Sequence, residues 1–357
     1  MSEYHKTNGA VFAEREGWNL PLHFGETTAE YDAVRSHLGL LDLSHRALLH
    51  FTGPDRTSFL QGMISNDLLS LSPGGGLYAM FLNQQGKVLG DCRVFCTDSS
   101  LLLDLWEPIK EKILDHLNRY LVADEVEITD LTEHYGLISV QGPDSERFVR
   151  KIAELPEAPK HLFLHSIARV YGTDIRLVRS SHTGEDGFDF IIPKSGLLRF
   201  AQHLDDVGKH FSAAWVGEQA AEILRVESGI PRYGIDITED HLLLETGLDH
   251  AVSFTKGCYL GQETVERIRS RGHVNKKLVG FLLEGQETAC ARDLIVSADK
   301  EVGTITSSVY SPTLARPIAL GYLRRDSWST GTSLSVTHDG APIPATVTDL
   351  PFVKPKK

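Results

Sequence analysis

The sequence predicts an α+β protein whose chain ends in a small all-β domain. Three observations carry this. Up to about residue 270, strand-like runs alternate with amphipathic helical stretches, as in mixed α+β folds. After Gly272 the pattern changes to short β segments set apart by turns, among them KLVGFLLE, VGTITSS, IALGYLR, TSLSVTH and PATVTDL. That spacing, kept up over roughly 85 residues, reads as a barrel or sandwich. Finally, the 357 residues are 41% hydrophobic and 24% charged. This gives room for two or three domains with real cores and excludes a largely disordered or fibrous chain.

The elements follow in order. Residues 26–39 place Tyr31, Val34 and Leu38 at helical spacing, with Gly39 as the expected C-cap. LLDLSHRALLHFTG reads as a strand. Gly53-Pro54-Asp55 is a turn, and Asp55 is placed to cap a helix over RTSFLQGMI. Residues 77–105 read as a hairpin around Gln84-Gln85-Gly86, with LLLDLW as the next strand. In 107–122, Ile109, Ile113, Leu117 and Leu121 recur at every fourth position, so an amphipathic helix is expected, with Pro108 in its first turn. VEITDL and YGLISVQG are strands, and SERFVRKIAEL is a helix opened by Pro143-Asp144. Residues 153–165 read as a connector. Residues 166–192 are β-rich and broken by the loop His182 to Gly187. Helices are expected over 194–208 and 215–228, and another after Gly261.

The net charge of −12 argues against broad nucleic-acid or membrane-surface binding. No apolar run approaches the ~20 residues of a membrane helix. The first residues fit neither a signal nor a transit peptide, so the expected location is the cytoplasm. Cys92, Cys96, Cys258 and Cys290 form no CxxC pair and are too few for a disulfide framework. They read as reduced thiols. Sixteen histidines include no HExxH, and no metal site is expected. His161 and His165 read as structural or surface residues.

Taken together, several stretches resemble the aminomethyltransferase (glycine-cleavage T protein) superfamily. They are GWNLPLHFG, AVRSHLGLLDLSH, GPDRTSFLQGMISNDL, YAMFLNQQGKVLGD, HTGEDGFDF, LRVESGIPRYGID and SSVYSPTLARPIALGY. They span nearly the whole chain in order. Within the superfamily, Lys256-Gly257-Cys258-Tyr259-Leu260-Gly261-Gln262-Glu263 resembles the KGCYxGQE segment of the YgfZ branch; true aminomethyltransferases have a cysteine-free segment there. The resemblance implies a three-domain, aminomethyltransferase-like α+β architecture around a central folate channel. Residues 1–50 and 134–265 would form a discontinuous folate-binding domain. Residues 51–133 would form an inserted ferredoxin-like domain, and 273–357 a C-terminal β-barrel.

Candidate site residues follow. Cys258, two residues after Lys256 and close to a helix start, is expected to have thiolate character suited to a metal ligand or redox nucleophile; the competing reading is a small buried hydrophobe. Cys92 and Cys96 share one face of a strand and read as core. Cys290 has no informative context. The resemblance places the pterin-binding carboxylate on Glu185, the alternative being a solvated turn. Arg225 either meets an anionic glutamyl tail or makes an internal salt bridge. Tyr78, Asn83 and Gln262, in the same matching segments, are expected at the folate, and Cys258, Lys256 and Asp91 at the chemistry. The stretch Glu266 to Lys277 sets five cations against one carboxylate. It reads either as a basic rim for an anionic ligand or as a solvated helix.

Two departures stand out. The transferases carry GGxxDD after the hairpin turn, whereas this chain has Gly86-Lys87-Val88-Leu89-Gly90-Asp91. Their SHM reads Ser44-His45-Arg46 here. A glycine cannot orient folate or stabilise charge, so both changes argue against aminomethyl transfer. The leading expectation is therefore a tetrahydrofolate-binding accessory protein in iron–sulfur cluster assembly or repair, linked to tRNA modification. Its partners would be folate, with or without a polyglutamyl tail, and iron–sulfur enzymes or assembly factors, with no direct nucleic-acid or membrane partner. The alternative is a folate-dependent aminomethyl- or methyltransferase with Asp91 and Glu185 as its acid/base pair. A third reading is a binding scaffold with no reactive thiol.

Overall fold

A computed structural model of the chain describes residues 1–15, 17–153, 155 and 157–355. It contains a five-stranded sheet, a six-stranded sheet and a closed six-stranded barrel, as well as a two-stranded hairpin near the start. The α+β class and the C-terminal barrel are as the sequence predicts. The 153–165 connector lies partly outside the described residues; within the rest, strand His165–Val170 begins at its last position.

The five-stranded sheet runs in the order Gly76–Leu82, Val88–Cys96, Leu101–Trp106, Arg46–Thr52, Glu127–Asp130. Helices Arg56–Met63 and Lys110–Tyr120 cover one of its faces. The expected periodicity holds: Ile109, Ile113 and Leu117 are buried there with Phe51, Leu60 and Phe81. Each such side chain stabilises the fold by about 1.5–3 kcal/mol. Asp55 does precede the first helix, but its side chain makes no cap. Its Oδ2 instead accepts from the Glu125 N–H at 2.9 Å, tying the helix start to the loop before the sheet's edge strand.

The six-stranded sheet runs His165–Val170, Thr173–Arg179, Gly187–Pro193, Tyr135–Gln141, Leu38–Asp42, Ala213–Trp215. Helices Ser145–Ile152 and Leu197–Gly208 pack on its outer face over Phe148, Phe188 and Phe190. Its inner face meets the five-stranded sheet through Leu48, Phe95, Leu102, Leu137, Val178 and Ile191.

The expected single strand over 40–53 is two strands in different sheets. Strand Leu38–Asp42 belongs to one and Arg46–Thr52 to the other. Between them Asp42 Oδ1 accepts the Ser44 N–H at 3.0 Å, a local turn that an unbroken apolar pattern conceals. The helix expected to reach Gly39 stops at Ser36. Gly39 lies inside the following strand, where a Cβ would sit 2.4 Å from Val34 Cγ2 and 2.8 Å from Val216 Cγ2. Close packing, not a C-cap, explains this glycine.

Strands Lys276–Leu283, Arg316–Arg324, Lys300–Ser311, Leu294–Ser297, Ser333–His338 and Ala341–Thr348 close the barrel. Helix Glu218–Glu227 packs against it.

Candidate functional site

The site is built where the inner faces of the two sheets meet. Along strand Val88–Cys96, Val88, Cys92 and Val94 belong to the helix-covered core, so alternation turns Asp91, Arg93 and Phe95 toward the other sheet. Arg93 crosses the seam. Its Nη1 is 2.6 Å from Asp189 Oδ2 and donates to Ser180 Oγ at 2.8 Å, while its Nη2 pairs with Asp104 at 2.5 Å. Asp104 in turn takes Arg46 Nε at 2.7 Å, and His182 Nε2 lies 3.0 Å from Asp189. Burial raises the Asp189 pKa, but His182 and then Arg93 outweigh it and hold the carboxyl well below its ordinary range. The Arg46 cation is thus matched by Asp104, and its presence in place of an apolar residue leaves no uncompensated charge.

Asp91 lies two residues from Arg93, about 6.8 Å along the same face. The Tyr78 hydroxyl donates to its Oδ2 at 2.8 Å. Burial, and next the Asp91 charge, push the Tyr78 hydroxyl well above its ordinary pKa, so it remains a donor. Asp91 Oδ1 has no protein partner among the described residues. The Tyr78 ring stacks on His250 at a 5.5 Å centroid distance. Gly90 faces the opposite way: a Cβ there would lie 2.5 Å from Ile109 Cδ1, inside the helix-covered core. The aspartate missing at position 90 would therefore not have shared a cavity with Asp91. Neither sequence departure disables the inner face.

Glu185 sits in the loop between strands Thr173–Arg179 and Gly187–Pro193 and is 1% exposed. It is no solvated turn residue. Arg35 Nη1 donates to its Oε1 at 2.7 Å, and Arg35 Nη2 pairs with Glu227. The Tyr31 hydroxyl also donates to Glu227, at 2.7 Å. Glu185 Oε2 is buried with no hydrogen-bond partner. A carboxylate oxygen left unsatisfied in a desolvated place costs about 1–3 kcal/mol, and the N–H edge of a pterin is the kind of donor that satisfies it. The residues present therefore fit a folate. Arg35 is absent from the sequence-derived candidates, although a signal existed. It shares the buried helix face with Tyr31 and Val34, and a charge on such a face requires a buried partner.

Other candidates have different surroundings. Arg225 makes the internal contacts of its second reading. All five of its N–H donors are taken, by Glu222 twice, Asp236, the Ile230 carbonyl and Ser307 Oγ. It braces helix Glu218–Glu227 to the barrel and has no donor left for a glutamyl tail. Asn83 Oδ1 accepts from the Gln85 and Lys87 N–H groups and closes the hairpin turn with Gly86 (φ 76°). Gln262 begins helix Gln262–Arg271.

Lys256 points inward. Its Nζ donates to the Gln61, Ile64 and Asn66 carbonyls at 2.6, 2.7 and 2.8 Å, capping the end of helix Arg56–Met63. Cys258 is exposed, not a buried hydrophobe, and lies outside this clamp. Cys92 is buried, and burial pushes its thiol well above the ordinary range.

In the basic stretch, Arg269 stacks over Phe254 at 5.1 Å and Lys276 over Tyr322 at 5.3 Å. An open cleft of about 440 Å³ beside it is lined by His273, Lys277, Arg325 and Trp328, among others. A second, of about 530 Å³, lies between residues 70–75 and 157–166. Neither is lined by Asp91 or Glu185.

Comparison with known proteins shows the family. Residues 1–256 match the GCVT N-terminal domain, and residues 276–354 match the glycine cleavage T-protein C-terminal barrel domain. An aminomethyltransferase of Rubrobacter xylanophilus is 32% identical, over 100% of this chain and 94% of its own. One from Cutibacterium acnes is 30% identical, over 99% and 97%. The crystal structure of the glycine cleavage system aminomethyltransferase T from Bartonella henselae superposes with a TM-score of 0.90 at 26% identity, covering 99% of this chain and 97% of that one. Aminomethyltransferases of this kind use tetrahydrofolate. These full-length relatives overturn the expectation of an iron–sulfur accessory protein, and they give no support to iron–sulfur partners or a link to tRNA modification. No helix among the described residues is long and apolar enough to cross a membrane.

Proposed function

Since the chain belongs to the aminomethyltransferase (glycine cleavage T-protein) family, we propose that it is a folate-dependent aminomethyl- or methyltransferase, with Glu185 binding the pterin and Asp91 as acid/base. The observation that carries this is the buried, partnerless Oε2 of Glu185, fixed by Arg35 on its other oxygen. Tetrahydrofolate, when bound, supplies the nitrogen that accepts the one-carbon unit. The protein's share is placement and proton handling. Tyr78 donates to Asp91 Oδ2 and so orients the carboxylate. Oδ1 is left to take or return the proton of a reacting amine, a role of the general acid–base kind. The Arg93–Asp189–Asp104–Arg46 network behind it is balanced in charge and locks the two sheets together.

Placement in the YgfZ branch rests on Lys256 to Glu263 alone. Within that segment Lys256 serves the end of a helix, and the Cys258 thiol is turned to solvent. This supports an architectural role for the motif.

The test is a titration with tetrahydrofolate, followed by turnover to methylene-tetrahydrofolate with aminomethyl donors and to methyl-tetrahydrofolate with N-methyl ammonium donors. The expected result is saturable binding weakened by Glu185→Gln, with turnover lost in Asp91→Asn. A folded protein that binds folate but turns over no donor would overturn the transferase reading.

A further inference from the structure

Away from the folate-facing seam, the barrel brings together three residues that no sequence pattern connects. Cys290 and Asp293 lie on the turn before strand Leu294–Ser297, and His338 closes strand Ser333–His338. One ligand atom from each, a thiol sulfur, a carboxylate oxygen and a ring nitrogen, lies within 4.8 Å of the other two. We propose that Cys290, Asp293 and His338 form a binding site for a zinc-type divalent cation, independent of the folate chemistry.

The turn is built to present these groups. The Cys290 N–H donates to Asp293 Oδ2 at 2.7 Å, and the Asp293 N–H donates back to the Cys290 carbonyl at 3.1 Å. Arg292 between them is left-handed at φ 74°, which folds the two side chains to one side. The turn is pinned to the barrel wall, since the Arg292 N–H donates to the Ile305 carbonyl at 2.8 Å and the Ile305 N–H to the Asp293 carbonyl at 2.9 Å. The third group arrives from the other side, with His338 Nδ1 2.7 Å from Asp293 Oδ2. Two residues between the first donors, on a tight turn, with a histidine from a distant strand, is the spacing logic of small zinc sites.

The distances suit the ion. Bonds of about 2.0–2.3 Å to N, O and S, at tetrahedral angles, set donors roughly 3.3–3.8 Å apart. The 4.8 Å limit needs only a small closure, while the 2.7 Å N···O contact must open as the ion takes the place of the proton between the two atoms. The donor set of soft thiolate, imidazole and carboxylate suits zinc rather than magnesium or calcium. Binding forms one bond to each group. Cys290 gives up its thiol proton and His338 any proton on its coordinating nitrogen, both to solvent, and no electron is transferred. Cys290 is exposed, so a fourth position is left for water. The bound ion would staple the 284–293 segment to the Ser333–His338/Ala341–Thr348 hairpin.

The experiment uses the full chain, stripped with chelator and titrated with Co(II) alone and then Zn(II). One equivalent of Co(II) is expected to give a thiolate-to-cobalt band in the near ultraviolet with the intense visible bands of a tetrahedral ion, and Zn(II) to bleach both. Cys290→Ser removes the near-ultraviolet band, His338→Ala weakens Co(II) affinity by more than about tenfold, and Cys258→Ser changes neither. Zn(II) raises the melting temperature of the wild type but not of Cys290→Ser; unchanged circular dichroism shows that each variant is folded. Absence of a thiolate band at stoichiometric Co(II), or a band that survives Cys290→Ser and disappears with Cys258→Ser, would overturn the site.

Discussion

Arg35 Nη1 holds one oxygen of the Glu185 carboxylate at 2.7 Å, and the other oxygen is buried without a partner. A buried carboxylate anchored on one side only is a preformed acceptor. Glu185→Gln keeps the shape but removes the charge, and is expected to weaken tetrahydrofolate binding by about 1.5–3 kcal/mol, or roughly 10- to 150-fold. Arg35→Met leaves Glu185 and Glu227 buried without a counter-cation, so a stability loss of about 3–5 kcal/mol should appear in urea unfolding.

Asp91 and Gly90 are neighbours with opposite duties. Asp91→Asn is expected to lower turnover by about 10²–10⁴ while folate affinity stays within a few-fold. Gly90→Asp, which restores the first aspartate of the family pattern, is expected to add no activity. It would instead place a carboxylate against Ile109 and Ile113 in the apolar core and destabilise the protein. A faster Gly90→Asp enzyme would refute the assignment of that position to the core.

Arg225 ties helix Glu218–Glu227 to Asp236 and to Ser307 of the barrel. Arg225→Met should cost about 3–5 kcal/mol, because buried Asp236 loses its counter-cation. Folate affinity per folded molecule should not change. A specific loss of affinity for polyglutamylated folate would show instead that the brace opens to a ligand.

Acid should loosen the fold before its carboxylates titrate. Burial, and then Arg176, lower the His165 pKa to about 4; burial, and then Lys276, do the same for His241. An imidazole whose folded value lies below its unfolded value of about 6.5 binds fewer protons folded than unfolded between the two. Its contribution is complete above about pH 6.5 and is lost as the pH falls toward 4. Denaturant midpoints should therefore drop across that window, and His165→Gln should flatten the drop.

The fold was largely legible because its signals are local. The 3.6-residue periodicity of Ile109, Ile113 and Leu117 and the turn at Gly86 depend on neighbours in sequence. The errors came where a local signal had a distant cause. Gly39 looked like a helix cap because its close contact with Val216 is not written nearby, and Asp55 looked like a cap because Glu125 is far along the chain. In the candidate site, Glu185 and Asp91 were named only through the resemblance to a family, and the structure adds that one is buried against Arg35 and the other is hydrogen-bonded to Tyr78. Lys256 is two residues from Cys258 in sequence, but its three acceptors lie at the end of helix Arg56–Met63.

The sequence by itself determined the class, the order of the elements, the closing barrel and the family, since patterning and motif order survive without coordinates. Only the tertiary structure decided which face each residue uses. Strand alternation puts Asp91 in the seam and Gly90 in the core, so adjacent positions in one motif do unrelated work. Contact between chain-distant groups did the rest: it paired Arg35 with Glu185, used up the donors of Arg225, and set Cys290, a residue without context in the sequence, beside Asp293 and His338.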